Sequence, residues 1–143
     1  MKPVVCDTSV VVAYYVPEAF SERAERILRQ HDQRYIASLA LTETSSALRR
    51  KVHDRELPKA GAQAALDAFR RDLVTGVFRV IDVERRHYDH AAAQVWNTKE
   101  RLRTLDALHL AVAELGGMPI VTGDAVMAKA AKELHVATIW AGA

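Results

Sequence analysis

The stretch Thr104–Asp124, TLDALHLAVAELGGMPIVTGD, decides the fold. Its first half places Leu105, Leu108 and Val112 at helical spacings of three and four, behind Thr104 as a candidate N-cap. Gly116-Gly117 halts that helix before Pro119, and Ile120-Val121-Thr122 follows as a short β-branched strand. The same alternation extends outward in both directions. Val4-Val5-Cys6, Tyr35-Ile36-Ala37, Val77–Ile81 and Val136–Ile139 have strand character. Between them lie helical spacings: Ala24, Ile27 and Leu28 behind Ser21; Leu41, Ser45, Leu48 and Val52; Ala62, Leu66, Phe69 and Leu73. Val126, Met127, Ala130, Ala131 and Leu134 form the last, behind Asp124. Alternating strands and helices predict an α/β fold, a central, mainly parallel β-sheet flanked by α-helices. Ligands of such sheets bind beyond the carboxyl ends of the strands.

Composition bounds the rest. The chain has 143 residues, with 20 Lys+Arg against 18 Asp+Glu and a formal net charge of +2. That is the length of one domain, residues 1–143, with enough chain to bury a core. Half the residues are hydrophobic and 27% are charged, which excludes intrinsic disorder. No uncharged run exceeds ten residues, about half of the ~20 a membrane-spanning helix needs. A carboxylate already at position 7 leaves no apolar leader core, and the single Cys6 has no partner for an internal disulfide. A cytoplasmic protein without membrane attachment is the expectation. The mildly basic balance suits a polyanionic partner.

Four carboxylates fall where this architecture puts chemistry. Asp7 ends the first strand and Asp124 follows Ile120-Val121-Thr122 directly, so parallel strands bring both to one rim. Asp106 lies in the first turn of its helix, and Glu43 in the first turn of the helix read over Leu41–Val52. Each also fits a plainer role. Asp7 suits an Asx turn, Asp124 a helix N-cap, Asp106 the positive end of a helix dipole, and Glu43 a solvated helix face. Their joint placement is what points further. Carboxylates gathered without Lys or Arg in the same motifs repel one another, and a hard divalent cation relieves that repulsion. Oxygen-only ligands select Mg²⁺ or Mn²⁺. Such cations polarise a phosphoryl oxygen, activate a bound water and stabilise the leaving oxygen, so phosphodiester hydrolysis needs no protein nucleophile.

The same residues carry a family resemblance. Val5-Cys6-Asp7-Thr8-Ser9, Leu41-Thr42-Glu43, Leu105-Asp106-Ala107-Leu108-His109-Leu110-Ala111 and Thr122-Gly123-Asp124 occur in that order. Over essentially its whole length the chain resembles the PIN-domain ribonucleases, and among them the VapC-type toxins of type II toxin–antitoxin pairs. The resemblance implies a PIN-like fold and a metal-dependent endoribonuclease centre formed by Asp7, Glu43, Asp106 and Asp124. It implies that Asp7 and Asp106 contact Mg²⁺ or Mn²⁺ directly, that Asp124 assists, and that Glu43 orients water or binds a second ion. It also implies that Thr8, Ser9 and Thr122 supply hydroxyls that orient the ligating carboxylates. It further implies cleavage of structured RNA such as tRNA or ribosomal RNA, a homodimer, and inhibition by a cognate VapB-like antitoxin. Ala125-Val126-Met127 adds no further acid to the centre. Housekeeping PIN nucleases share the four acids, and a non-catalytic RNA- or protein-binding module shares the fold.

Other residues are weighed in the same way. His109 shares a helical face with Asp106 but has apolar neighbours, so a buried, hydrogen-bonded histidine is expected rather than a ligand. Arg49-Arg50-Lys51 and Arg85-Arg86 read as solvated helix faces. Arg101 and Arg103, just before the Asp106 helix, are the candidates for holding RNA phosphates. Val10–Val16 with Tyr14, Tyr15 and Phe20 reads as core or as a groove for an amphipathic partner. Trp96 and Trp140 suit core or dimer contacts. A haloacid-dehalogenase-like phosphatase would want an acid where Ser9 stands, and a receiver-like phosphoacceptor would want an acidic pair where Cys6-Asp7 stands.

Overall fold

The computed structural model describes residues 2–143. In chain order the elements are β1 Val4–Cys6, α1 Thr8–Tyr15, α2 Ser21–Arg29, β2 Arg34–Ala37, α3 Leu39–His53 and α4 Lys59–Thr75. They continue with β3 Arg79–Ile81, α5 Arg85–Asn97, α6 Thr104–Leu115, β4 Ile120–Thr122, α7 Ala125–Glu133 and β5 Thr138–Trp140. All strand pairings are parallel, in the order β3-β2-β1-β4-β5.

The two central strands are buried throughout, whereas β3 and β5 at the edges are partly exposed. A parallel sheet covered by helices on both faces selects short, unbroken apolar strands in its middle. Alternation across the pleat then divides the core. Val5 and Ile120 pack on the side of α6 and α7, with Ala107, Leu110, Ala111 and Met127. Val4, Cys6 and Val121 pack on the other side, with Val10, Leu28, Phe69 and Phe78. Helix α6 is buried at every position from Ala107 to Ala113, and it is the element nearest the sheet centre on its face.

The apolar stretch after Asp7 is core, not an open groove. Val10, Val11, Val12 and Ala13 are buried. Tyr14 and Tyr15 stack edge-on against each other and against Phe78 and Phe69 at centroid distances of 5.0 to 5.7 Å. The Tyr15 hydroxyl donates to Asp72 at 2.6 Å, which gives its one polar atom an acceptor in α4. Trp96, by contrast, is 90% exposed and contributes nothing to the core.

Several boundaries differ from the sequence reading, among them the last strand, which is Thr138–Trp140 rather than Val136–Ile139. Ser21 and Thr104 are the first residues of their helices, with Phe20 and Arg103 at the caps. Ser21 Oγ instead accepts from the Glu18 amide and donates to the Val16 carbonyl, tying the turn before α2. The strand read from Val77 begins at Arg79, because Phe78 turns inward as a core plug after the left-handed Gly76. Helix α3 begins at Leu39, so Glu43 lies in its second turn.

The order 3-2-1-4-5 reverses at β1: the chain moves to one side through β2 and β3, then returns through β4 to the other. The crevice of such a sheet opens beyond the carboxyl ends of the two strands that flank the reversal. Here those ends are Cys6 and Thr122, and the next residues of chemical interest are Asp7 and Asp124.

Candidate active site

Asp7 is both the N-cap of α1 and the most constrained acid of the rim. Its Oδ1 accepts from the Val10 amide at 3.1 Å and from the Ser9 hydroxyl at 2.6 Å, while Oδ2 accepts from Thr122 at 2.6 Å. Only 2% of the residue is exposed. Burial raises its carboxyl pKa, opposed by the bonds from Ser9 and Thr122, the nearby His109 and the Val10 amide.

The turns after β1 and β4 are laced together. Thr122 donates to Asp7 and accepts from the Asp124 amide at 2.9 Å. Ser9 donates to Asp7 and accepts from the Gly123 amide at 3.2 Å. Two hydroxyls therefore fix two acids that lie more than a hundred residues apart in the chain. Gly123 also admits a close neighbour: a Cβ there would stand 2.7 Å from the Phe20 ring. Asp124 caps α7, its Oδ1 accepting from Val126 and Met127. Its second oxygen takes part in no hydrogen bond among the described residues.

Glu43 is held from two sides. Its Oε1 accepts from the Thr8 hydroxyl and from His109 Nε2, each at 2.7 Å. Burial raises the Glu43 pKa, but these two bonds outweigh it and the net shift is downward. His109 is 1% exposed and spends its Nε2 proton on Glu43, leaving Nδ1 buried without a partner among the described residues. It is the hydrogen-bonded, buried histidine that its apolar neighbours predict. Thr8 orients Glu43, whereas Ser9 and Thr122 orient Asp7.

Asp106 differs from the other three. It is half-buried in the first turn of α6, and no protein group among the described residues donates to it. Its pKa is pushed up to about 6, first by burial and then by the negative charges of Asp124, Asp7 and Glu43, with His109 opposing. Each of the other acids thus acts on Asp106 through space.

The donor set can be tested against a cation. Among the described residues no three His, Cys, Asp or Glu side chains stand close enough to enclose a metal ion as they are. The chemistry of the set nonetheless fits one: all-oxygen ligands, a half-buried carboxylate with no protein donor, and repulsion that draws no internal counter-charge. Asp106 and the free oxygen of Asp124 have unused lone pairs, and Asp7 presents rigidly oriented ones.

A cavity of about 610 Å³ contains all four acids, together with Phe20, Leu105 and a long arm under α3. Arg101 and Arg103 are exposed and do not line it. Arg50 and Lys51, read from sequence as solvated helix face, do line it. The signal for them was present: Glu43, Ala47, Arg50 and Asp54 recur at spacings of three and four along one face of α3.

A family model described as PIN domain matches residues 4–133. Ribonuclease VapC46 of Mycobacterium tuberculosis is 32% identical over 142 residues, covering 97% of this chain and 98% of its own. Among solved structures, the chain resembles VapC20 of M. tuberculosis, a Sarcin-Ricin loop cleaving toxin. The TM-score is 0.69 at 22% identity over 87% of this chain and 92% of that one. FitAB bound to an IR36 DNA fragment gives a TM-score of 0.72 at 15% identity, over 95% and 93% of the two chains. PAE2754 from Pyrobaculum aerophilum gives 0.68 at 20%, over 95% and 82%. These structural likenesses carry the fold.

Proposed function

The chain belongs to the PIN-domain family, with a VapC ribonuclease as a full-length relative, and we propose that it is a metal-dependent endoribonuclease, the toxin of a toxin–antitoxin pair. One observation carries the metal-dependent chemistry. Asp106 is half-buried, has no protein donor among the described residues, and faces the fields of three other carboxylates at the reversal point of the sheet. A fold gains nothing from that arrangement unless a cation joins it.

In this reading Asp7, Asp106 and Asp124 hold Mg²⁺ or Mn²⁺. Such an ion would supply Lewis-acid polarisation of the scissile phosphate and would make a water beside it more acidic. The protein's own part is orientation. Ser9, Thr122 and the Val10 amide lock the Asp7 carboxylate so that its remaining lone pairs point one way. Thr8 and His109 occupy Glu43 Oε1, which leaves Oε2 to orient a water at the site. The lowered Glu43 pKa suits an anionic hydrogen-bond acceptor that orients a water rather than a strong base. The substrate is RNA, with structured tRNA or ribosomal RNA as the target class. A VapB-like antitoxin restrains the enzyme, and the working form is a homodimer in the cytoplasm. No helix among the described residues is long and apolar enough to cross a membrane.

The test incubates the purified chain, freed of any partner, with total cellular RNA in Mg²⁺, Mn²⁺ or EDTA. Asp106→Asn is the control, because it removes a charge while breaking no hydrogen bond. Discrete fragments that require both the metal and Asp106 are expected, with a loss of at least about a hundredfold in the variant. Intact RNA under every ion, or fragments that persist in Asp106→Asn, would overturn the proposal.

A further inference from the structure

The cavity that holds the four acids does not end with them. It runs on beneath α3 past Ser46 and Ala47 to Arg50, Lys51 and Asp54, and meets Glu18 and Glu56 at its far wall. Seven carboxylates line it in all, against two side chains that carry full positive charge. A polyanion entering such a cavity needs a counter-charge that is not already used. Lys51 is used: its Nζ lies 2.6 Å from Glu18 and 3.5 Å from Glu56, with the side chain only 19% exposed. Arg50 makes no ion pair or side-chain hydrogen bond among the described residues, and it is exposed. It is the one unengaged cation on the wall.

Its position is also specific. Seven residues separate Arg50 from Glu43, which is two turns of α3, about 10 Å along one face. Arg49, next to it in sequence, is turned by a residue's rotation onto another face. There it lines a separate groove with Leu48, Ala62 and Leu66 between α3 and α4. The carboxylates Asp54 and Glu56 beyond Arg50 repel further phosphates, so the arm suits one phosphate and then an exit to solvent. We propose that this arm is a substrate subsite in which Arg50 binds an RNA phosphate flanking the scissile one. The guanidinium fork matches a phosphate in two hydrogen bonds, and Ser46 lines the same stretch of wall one turn nearer the acids.

The inference rests on the endoribonuclease reading for its substrate, and binding and cleavage are measured separately so that the two ideas fail separately. Binding uses a fluorescein-labelled, mixed-sequence single-stranded RNA with EDTA present, titrated at several salt concentrations. Arg50→Gln, on an exposed helical position with little change in helix propensity, is compared with Arg49→Gln and Arg50→Lys. Arg50→Gln is expected to weaken binding about tenfold and to lower the salt slope by about 0.7, the value of one single-strand phosphate contact. Arg49→Gln leaves both unchanged, and Arg50→Lys keeps the slope while losing part of the affinity. With Mn²⁺ added, Arg50→Gln raises KM and leaves kcat within about threefold, the mark of a contact made equally in ground and transition states. Equal effects of Arg49→Gln and Arg50→Gln, an unchanged salt slope, or no salt-sensitive binding by the unaltered chain would each overturn the subsite. RNA binding that depends on Arg50 in a chain that leaves RNA intact under every metal ion would uphold the subsite and remove the nuclease reading.

Discussion

Thr122 shows how much a single hydroxyl carries in this site. It is fully buried at the end of β4, donates to Asp7 and accepts from the Asp124 amide. Replacing it by valine keeps the shape and removes both bonds. The buried Asp7 oxygen then loses a donor and the Asp124 amide an acceptor, each a penalty of about 1–3 kcal/mol when left unmade. Thr122→Val is therefore expected to lower the melting temperature by several degrees and, beyond that, to weaken Mn²⁺ binding by about 10- to 100-fold, the usual cost of freeing a ligating carboxylate. Thr122→Ser keeps the hydroxyl and restores metal affinity even where it packs less well. Isothermal titration with Mn²⁺ separates the two effects. Equal affinity in the valine and serine variants would mean that Asp7 does not need this bond to be oriented.

At the scale of elements, helix α5 carries a pH-sensitive terminus. His87 is buried at its third position, and His87 Nδ1 accepts from the Glu84 amide while the His87 amide donates to the Glu84 carbonyl, each at 2.9 Å. That bond requires an unprotonated Nδ1. Burial and the neighbouring Arg86 lower the His87 pKa below its usual 6.5. The unfolded imidazole thus takes up its proton at a higher pH than the folded one. The cap's contribution is complete above pH ~6.5 and is lost as acid carries the pH down through the lowered value. Amide exchange should show protection at Glu84 that is constant near neutrality and falls in mild acid, after correction for intrinsic rates. Constant protection throughout the acid range in which the fold persists would rule the cap out as the sensitive element. The same scale separates what could be read in the sequence from what could not. Val4–Cys6 and Ile120–Thr122 were legible because a central parallel strand is an unbroken apolar run. Phe78 was misread as strand because a core plug and a strand residue look alike when only hydrophobicity is counted. Arg50 is exposed, as its reading as a solvated helix face expects, but its place on the cavity wall depends on how α3 is phased from Glu43, which the apolar spacing of Leu41, Leu48 and Val52 does not trace. Asp7, Glu43, Asp106 and Asp124 stood out because chemistry confined to element ends leaves few positions to choose from.

For the whole molecule, the site exists only when the fold is nearly complete. Its acids come from positions 7, 43, 106 and 124, and they meet because β4 pairs with β1 after six helices have been laid down. On the proposed metal-holding role, stability and function oppose each other at Asp106. With metal removed, its pKa rises from 3.8 to about 6 on folding. A raised carboxyl pKa means that the folded state holds its proton more tightly than the unfolded state. This favours folding below pH ~4, and the advantage is lost as pH climbs through 6. In EDTA at pH 7.5, Asp106→Asn should thus melt at a higher temperature than the unaltered chain, and at pH 4 the difference should shrink or vanish. If the proposed metal reading holds, Mn²⁺ should reverse the order. A cation bound only by the folded chain contributes about 2.7 kcal/mol at a hundredfold excess over Kd, a rise of roughly 8–10 °C for a domain of this size. Asp106→Asn should forfeit most of that rise. Calorimetry of both proteins, with EDTA and with Mn²⁺, gives the four melting temperatures required. A variant that is more stable than the natural chain without metal and less stable with it identifies Asp106 as a position held for the cation. Equal responses to Mn²⁺ in both proteins would place the ion elsewhere on the surface, and the acids of the rim would then be caps and nothing more.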